Sequence, residues 1–323
     1  MKILIIRLSS IGDIVLTTPI IRCLKNQIPN VELHYITKNM FKEIVENNKY
    51  IDKVYAFDDD FDAVLQQLKS ENYDAIIDLH SNIRSYQIQR YLKVKRVFRY
   101  SKQRFKRWLQ IQFKLKLLQS HIVDRYFTAV RKLNVINDGN GLDFFIPENE
   151  DINISKLPFT HIAGFVVIVV GAKHFTKKIP LAKLEELCRN IKMPIILIGG
   201  IEDAYLGTQL SSIDSFKIYN ACGKYSITQS ASIIKRAKAV ITADTGMMHI
   251  AAAFHKKIFS VWGSTEKSLG FAPYQNSNNT IIIENNQLKC RPCHKHGNAS
   301  CPKKHFKCMQ NLDMQKIVDI INV

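Results

Sequence analysis

No stretch of this chain approaches the ~20 consecutive apolar residues needed to cross a bilayer. The apolar part of the opening segment, Met1-Lys2-Ile3-Leu4-Ile5-Ile6-Arg7, is too short for a secretory signal, and no cleavage-like sequence follows it. It reads as a first strand, which places the protein in the cytoplasm. There is no long low-complexity tract either, and 323 residues suffice for two ordinary domains. The seven cysteines are odd in number and scattered, which argues against a disulfide framework. Acidic residues are in deficit, 28 against 46 lysines and arginines, for a net charge of +18. Such a charge predicts an anionic partner: nucleic acid, a membrane surface or a phosphorylated substrate.

The deficit is sharpest between Arg84 and Lys132, where fifteen basic residues meet a single acid, Asp124. Phe105, Trp108, Leu109, Phe113, Leu115 and Leu117 are interleaved with them. A basic amphipathic stretch suits a membrane surface, an anionic glycolipid or nucleic acid. A solvated helix whose Lys and Arg stems cover apolar surface is the plainer alternative. One acid in forty-nine residues fits that alternative poorly.

What the chain does have is a strand–helix alternation, repeated in two halves. Strands are expected at Lys2–Ile6, Val31–Ile36, Lys53–Phe57 and Asp74–Leu79. After the turn cluster Asp138-Gly139-Asn140-Gly141 and a linker over Phe144–Thr160, they resume at Phe165–Val170, Pro194–Ile198, Phe216–Tyr219, Ala239–Thr242 and Lys257–Trp262. Helical patterns fill the intervals. The expectation is an α/β protein of two doubly wound domains, residues 1–155 and 156–323.

Ligands of such sheets bind beyond the carboxyl ends of the strands, so the loops there carry the chemistry. The first, Ser9-Ser10-Ile11-Gly12-Asp13, lacks the three-glycine spacing of a dinucleotide fingerprint, which disfavours a nicotinamide cofactor. Asp13 either caps the next helix or stands at the crevice to accept a proton from an attacking hydroxyl. From this stretch alone the cap is the simpler reading. His80-Ser81-Asn82-Ile83-Arg84-Ser85 follows another strand into the same crevice.

In the second half, Lys177 and Lys178 hang on a loop that suits a diphosphate, though a solvated loop is the bland alternative. Gly199-Gly200-Ile201-Glu202 lets a ligand reach the backbone and sets a carboxylate where ribose hydroxyls are held in other nucleotide folds. Asp244-Thr245-Gly246 switches from strand to helix, with His249 one turn on, and offers N–H groups and a helix dipole to a phosphate. Alone, that turn is an ordinary capped helix. Gly263-Ser264-Thr265-Glu266 ends another strand. The tail carries Cys290-x₂-Cys293-x₇-Cys301-x₆-Cys308, a spacing like that of a structural zinc site, with reduced and partly buried thiols as the simpler reading.

Taken in order, these stretches resemble the bacterial ADP-heptose:lipopolysaccharide heptosyltransferases of glycosyltransferase family nine. Leu8 to Pro19 looks like that family's signature start. Gly171-Ala172 with Thr176-Lys177-Lys178-Ile179-Pro180 is similar to its diphosphate loop, with Ile179 where Trp is common. Gly199–Glu202 and Asp244–Ala252 match its nucleotide-sugar motifs, and the Cys308-Met309 tail is also similar. Gly263–Glu266 departs from the family's Pro-Thr-Asp-Pro run.

The resemblance implies a GT-B fold of two Rossmann-like domains facing across a cleft. It implies an inverting, metal-independent transfer of heptose from ADP-heptose to the inner core of lipopolysaccharide. Asp13 would be the general base. Thr176, Lys177, Gly200, Glu202, Asp244, Thr245, Gly246 and His249 would bind the nucleotide sugar. Ser10, Gly12, Arg84, Arg104, Lys106 and Arg107 would meet a lipid A–core acceptor at the cytoplasmic face of the inner membrane. No cofactor is required on this reading, beyond a possible structural zinc at the tail cysteines, and no nucleic-acid partner is expected. The alternatives are another nucleotide-sugar donor or a basic zinc-knuckle protein that binds nucleic acid.

Overall fold

The structure, a computed structural model, describes residues 1–115, 117 and 119–323, so Lys116 of the basic run lies outside the described residues. Among them, eleven strands form two all-parallel sheets. The first sheet holds β1 (Lys2–Ile6), β2 (Glu32–Lys38), β3 (Lys53–Phe57), β4 (Ala75–Asp78) and β5 (Arg96–Arg99), in the order β3-β2-β1-β4-β5. The second holds β6 (Val166–Val169), β7 (Ile195–Ile198), β8 (Ile218–Asn220), β9 (Ala239–Ala243), β10 (Lys257–Trp262) and β11 (Thr280–Glu284), in the order β11-β10-β9-β6-β7-β8. Both are Rossmann-like.

Parallel strands covered on both faces need apolar side chains pointing both ways. That is why β6 and β7 are unbroken runs of Ile, Val and Leu, and why β1, β4 and β9 are runs of Ile, Leu, Val and Ala interrupted only by Lys2, Asp78 and Thr242, buried almost throughout. The expected strands form. Two others, β5 and β11, were not expected. Arg96-Val97-Phe98-Arg99 reads as part of the basic run because its ends are charged and it lies at the sheet edge, only partly buried. Thr280–Glu284 is likewise an edge strand and mostly half-buried. The expected linker is not wholly irregular, since short 3₁₀ turns form at Glu148–Glu150, Ile154–Lys156 and Phe159–His161.

The chain divides into two compact units. Met1–Gln103 with Ser120–Pro147 forms one, and Arg104–Gln119 with Glu148–Val323 the other. In the first, Leu4, Ile6, Ile36, Leu68, Ile76 and Ile88 share one core. In the second, the tail residues Cys308, Met309, Ile317 and Val318 share a core with β6, β7 and β9. The helix Arg104–Phe113 belongs to this second unit, pinned by buried Gln110. That side chain donates to Ser268 Oγ at 2.6 Å and accepts from Gln119 at 2.6 Å.

In the first unit, Arg22 on the helix Thr18–Gln27 holds the 138–143 turn. It grips Asp138 through two N–H donors at 2.7 and 2.8 Å, contacts Asp143, and donates to Gly141 O at 3.0 Å. The pairing with Arg22 holds the Asp138 carboxyl well below its usual range, while burial pushes Asp143 up. A depressed carboxyl adds stability above its unfolded pKa and loses it as pH falls. Arg22→Ala should therefore cost the first unit about 3 kcal/mol at neutral pH. The gap from wild type in urea unfolding should shrink below about pH 4.

Candidate active site

A doubly wound sheet has one place where successive crossovers leave in opposite directions, and the loops there part to form a crevice. In the second unit that point lies between β6 and β9. The loop after β6 carries Thr176 and Lys177 in a 3₁₀ turn, Phe175–Lys177. The loop after β9 carries Asp244 and Thr245 into the helix Gly246–Ala253. The two loops meet. Lys177 Nζ lies 2.6 Å from Asp244 Oδ2 and 3.0 Å from its carbonyl oxygen. Thr265, after β10, donates to the same carboxylate oxygen at 3.0 Å.

Thr245 occupies the N-cap position of that helix but makes no side-chain cap. Its hydroxyl lies 3.1 Å from that of Thr242 instead. The turn thus differs from an ordinary capped helix: its first N–H groups take no cap from Thr245, and a lysine stands beside them. A helix start of this kind, next to a cation, attracts an anion. His249 is buried one turn further along.

The loop after β7 carries Gly199 and Gly200. Glu202 is exposed, with its carboxylate folded back over Gly200, where a Cβ would meet it at 2.2 Å. Its neighbour Asp203 is buried and accepts from Lys178 Nζ at 3.1 Å and from Gly200 N at 3.2 Å. A Cβ on Gly171 would lie 2.3 Å from Asp203 Oδ2, so that glycine is what lets the loops after β6 and β7 approach.

In the first unit the corresponding point lies between β1 and β4. Arg7, at the end of β1, is buried and donates to Ser9 O at 2.6 Å, Leu79 O at 2.6 Å and Tyr126 Oη at 3.0 Å. Its remaining nitrogen lies 2.7 Å from Asp13 Oδ2. Burial works against the Arg7 charge, but Asp13 and the tyrosines around it outweigh burial and raise its pKa. Asp13 also accepts from Ser10, through its hydroxyl at 2.9 Å and its N–H at 3.5 Å. It braces the helix start at Ile11, as the cap reading expected, and stands partly exposed at the carboxyl edge.

Gly12 is buried in that helix. The loop after β4 is ordered by Asp78, which accepts from His80 N, Ser81 N, Ser85 Oγ and Gln89 Nε2. Burial, with Arg7 and Lys102 nearby, pushes His80 down to about 3, so its imidazole is neutral. Arg84 is exposed, its guanidinium over the rings of Phe57 and Phe61. Arg104, Lys106 and Arg107 are not in this unit. They ride on the helix Arg104–Phe113 of the second, where Arg107 stacks over Phe271.

A family description, glycosyltransferase family 9 (heptosyltransferase), matches residues 62–303. This chain belongs to that family. Among similar proteins, the lipopolysaccharide heptosyltransferase 1 of Campylobacter coli is 25% identical over 294 residues, covering 82% of this chain and 84% of the relative. Of solved structures, the E. coli ADP-heptose lps heptosyltransferase II superposes with a TM-score of 0.71 at 17% identity, covering 96% of this chain and 98% of that one. The E. coli heptosyltransferase WaaC with ADP-2-deoxy-2-fluoro heptose gives 0.67 at 20% identity, covering 87% and 92%. The transferase thus has the GT-B type of fold, with two Rossmann-like units.

Four further residues of the transferase, Arg7, Asp203, Arg291 and Asn298, organise the site without having been singled out from sequence. Arg7 follows an apolar strand directly, the one hint of a buried cation there. Asp203 sits beside the more conspicuous Glu202. Arg291, between two cysteines, is buried and donates to the carbonyls of Trp262, Gly263, Thr265 and Asn285 while pairing with Glu284 at 3.0 Å. Asn298 brackets Thr176: its N–H donates to Thr176 Oγ1 at 2.8 Å, and its carbonyl accepts from Thr176 N at 3.2 Å. Ser264 donates to Thr176 Oγ1 at 2.8 Å. Thr176→Val keeps the shape but strands these partners. It should destabilise the second unit by about 1–3 kcal/mol in denaturant unfolding.

Proposed function

We propose that this transferase moves heptose from ADP-heptose to a lipid A–core acceptor, with inversion, in the building of the lipopolysaccharide inner core. The observation that carries the reading is the cluster of Lys177, Asp244, Thr265 and an N-terminus that Thr245 does not cap at the β6/β9 switch point. It is a cradle for a departing diphosphate. Relatives of the same length that bear the heptosyltransferase name, one of them solved with an ADP-heptose analogue, supply the donor.

In the proposed step, Asp13 takes the proton of the acceptor hydroxyl. The oxygen attacks the anomeric carbon of heptose from the face opposite the diphosphate. The bond from that carbon to the diphosphate oxygen breaks, and ADP leaves with the electron pair. Arg7 and Ser10 orient the Asp13 carboxylate. Lys177 and the N–H groups at Thr245 and Gly246 receive the charge that builds on ADP, so the diphosphate needs no metal on this reading. Glu202 holds the ribose, with Gly200 giving close approach. Asp244 and His249 face the sugar-diphosphate, and Thr176 keeps Lys177 in place.

The acceptor, on this proposal, meets Ser10, Gly12, Arg84, Arg104, Lys106 and Arg107 at the cytoplasmic face of the inner membrane. No helix among the described residues is long and apolar enough to cross a membrane. The helix Arg104–Phe113 instead exposes Phe105, Trp108 and Phe113 at 69, 50 and 60%. The first two rings stack at 6.2 Å and Trp108 meets Phe113 edge-on. Aromatic rings beside lysine and arginine suit the interface of an anionic bilayer.

Thermal shift with ADP, UDP, GDP, CMP and NAD tests the donor. ADP at ~100 times its dissociation constant should add about 2.7 kcal/mol of stability, whereas a preference for UDP or GDP would move the donor. Asp13→Asn should lower transfer from ADP-heptose by about 10²–10⁴-fold with ADP binding intact. Lys177→Ala should weaken ADP binding by about 10–100-fold. Full activity in the Asp13 variant would remove it as the base. Phe105→Ala/Trp108→Ala should release the protein from sedimenting phosphatidylglycerol vesicles while ADP still binds, and unchanged sedimentation would remove the helix from the membrane contact.

A further inference from the structure

From Asn285 to Phe306 the chain forms no helix or strand. An irregular stretch of that length needs partners for its backbone outside any ladder. The tail cysteines are free thiols, and among the described residues no three of their sulfurs lie within 4.8 Å of one another. That placement does not fit the zinc site suggested by their spacing. The stretch is held by its neighbours instead. Lys114 Nζ donates to Pro292 O at 2.7 Å, and Cys293 N donates to Ser264 O at 2.8 Å. Further on, Asn298 N donates to Thr176 Oγ1 at 2.8 Å and Asn298 O accepts from Thr176 N at 3.2 Å. Gly297 has a φ of +92°, and a Cβ there would lie 2.9 Å from His174 Cβ and 3.2 Å from Lys177 Cγ, so only glycine fits. His294-Lys295-His296 is therefore a short strap, fixed at both ends against the turn that carries Lys177.

The strap is placed where positive charge is short. Lys177 is paired with Asp244, and Lys178 with Asp203. Each pair is neutral as a whole, whereas a departing diphosphate carries several negative charges. The span Lys289–Lys307 holds six lysines and arginines and no acid. Lys295, on the strap, is exposed and has no ion pair or hydrogen bond among the described residues. The same holds for Lys173, just before the Lys177 turn. An ammonium on a four-carbon stem, mounted on backbone that touches the Lys177 stem, is within reach of an anion that Lys177 holds.

We propose that Lys295 and Lys173 are diphosphate ligands of the donor site, bringing to the phosphoryl oxygens the net positive charge that the Lys177–Asp244 pair lacks. The inference rests on the donor reading and adds two residues to it. His294 and Gly297 act only by position, holding Lys295 against the turn.

Isothermal titration of the full chain with ADP, inorganic pyrophosphate and adenosine tests this. Both lysines are exposed and unpaired, so Lys173→Ala/Lys295→Ala should melt like wild type without ligand. It should bind ADP and pyrophosphate about 10-fold more weakly or worse, with adenosine unaffected and a flatter salt dependence for ADP. Lys295→Arg, which keeps the charge, should stay near wild type. Unchanged affinity for both anions in the double variant overturns the proposal, and a rise confined to the KM for the acceptor overturns it too. The donor reading fails separately. Pyrophosphate binding that depends on Lys295, with no preference for ADP over UDP or GDP, sinks that reading and leaves the strap. Selective ADP binding indifferent to both lysines sinks the strap alone, and wild-type protein that takes neither anion overturns both.

Discussion

Lys177 and Asp244 hold the second unit's site together. A lysine at the carboxyl edge of a parallel sheet faces only neighbouring loops and solvent, and without a partner it would swing away. Asp244 fixes it at 2.6 Å, and Thr265 fixes Asp244. Three strands, β6, β9 and β10, thereby have their following loops tied to one charge pair. The pair also keeps the lysine's charge balanced until an anion arrives.

The first unit solves the opposite problem. There a carboxylate, Asp13, stands at the edge, and the buried cation paired with it is Arg7. Because Arg7 also spends donors on Ser9, Leu79 and Tyr126, its position is over-determined and the carboxylate inherits that rigidity. The two switch points are thus built on the same logic with the signs exchanged: a charged side chain at the carboxyl edge held by a counter-charge.

Much of the fold was legible because buried parallel strands are unbroken apolar runs, and runs such as Ile3–Ile6 or Ile195–Ile198 admit little else. The loops were legible for the same reason, since whatever polar residue follows such a run must lie at the carboxyl edge. Two of the four edge strands were not. Arg96–Arg99 and Thr280–Glu284 are only partly covered, so their patterns carry no demand for apolarity. Nor does sequence distinguish Glu202 from Asp203. The acid that turns inward, Asp203, lies against Gly171 and bonds Gly200 N, contacts between loops far apart in sequence or set by the turn itself. Likewise the fifteen basic residues read as one surface, but the chain passes from one unit to the other at Arg104 and back at Ser120, dividing them.

Arg291 has a consequence for how the protein is made. The carbonyls of Trp262, Gly263 and Thr265, at the end of β10, find their donor almost thirty residues downstream, and Thr176 waits for Asn298 far beyond it in the chain. Synthesis runs from the amino end, and a domain folds as its residues emerge. The first unit has all its segments by Pro147, so the Asp13 edge can form while the ribosome is still at work. The loops after β6 and β10 cannot close until the tail has cleared the exit tunnel. A chain cut short before Asn298 would carry a finished first unit and a second unit in which Thr176 lacks its partner.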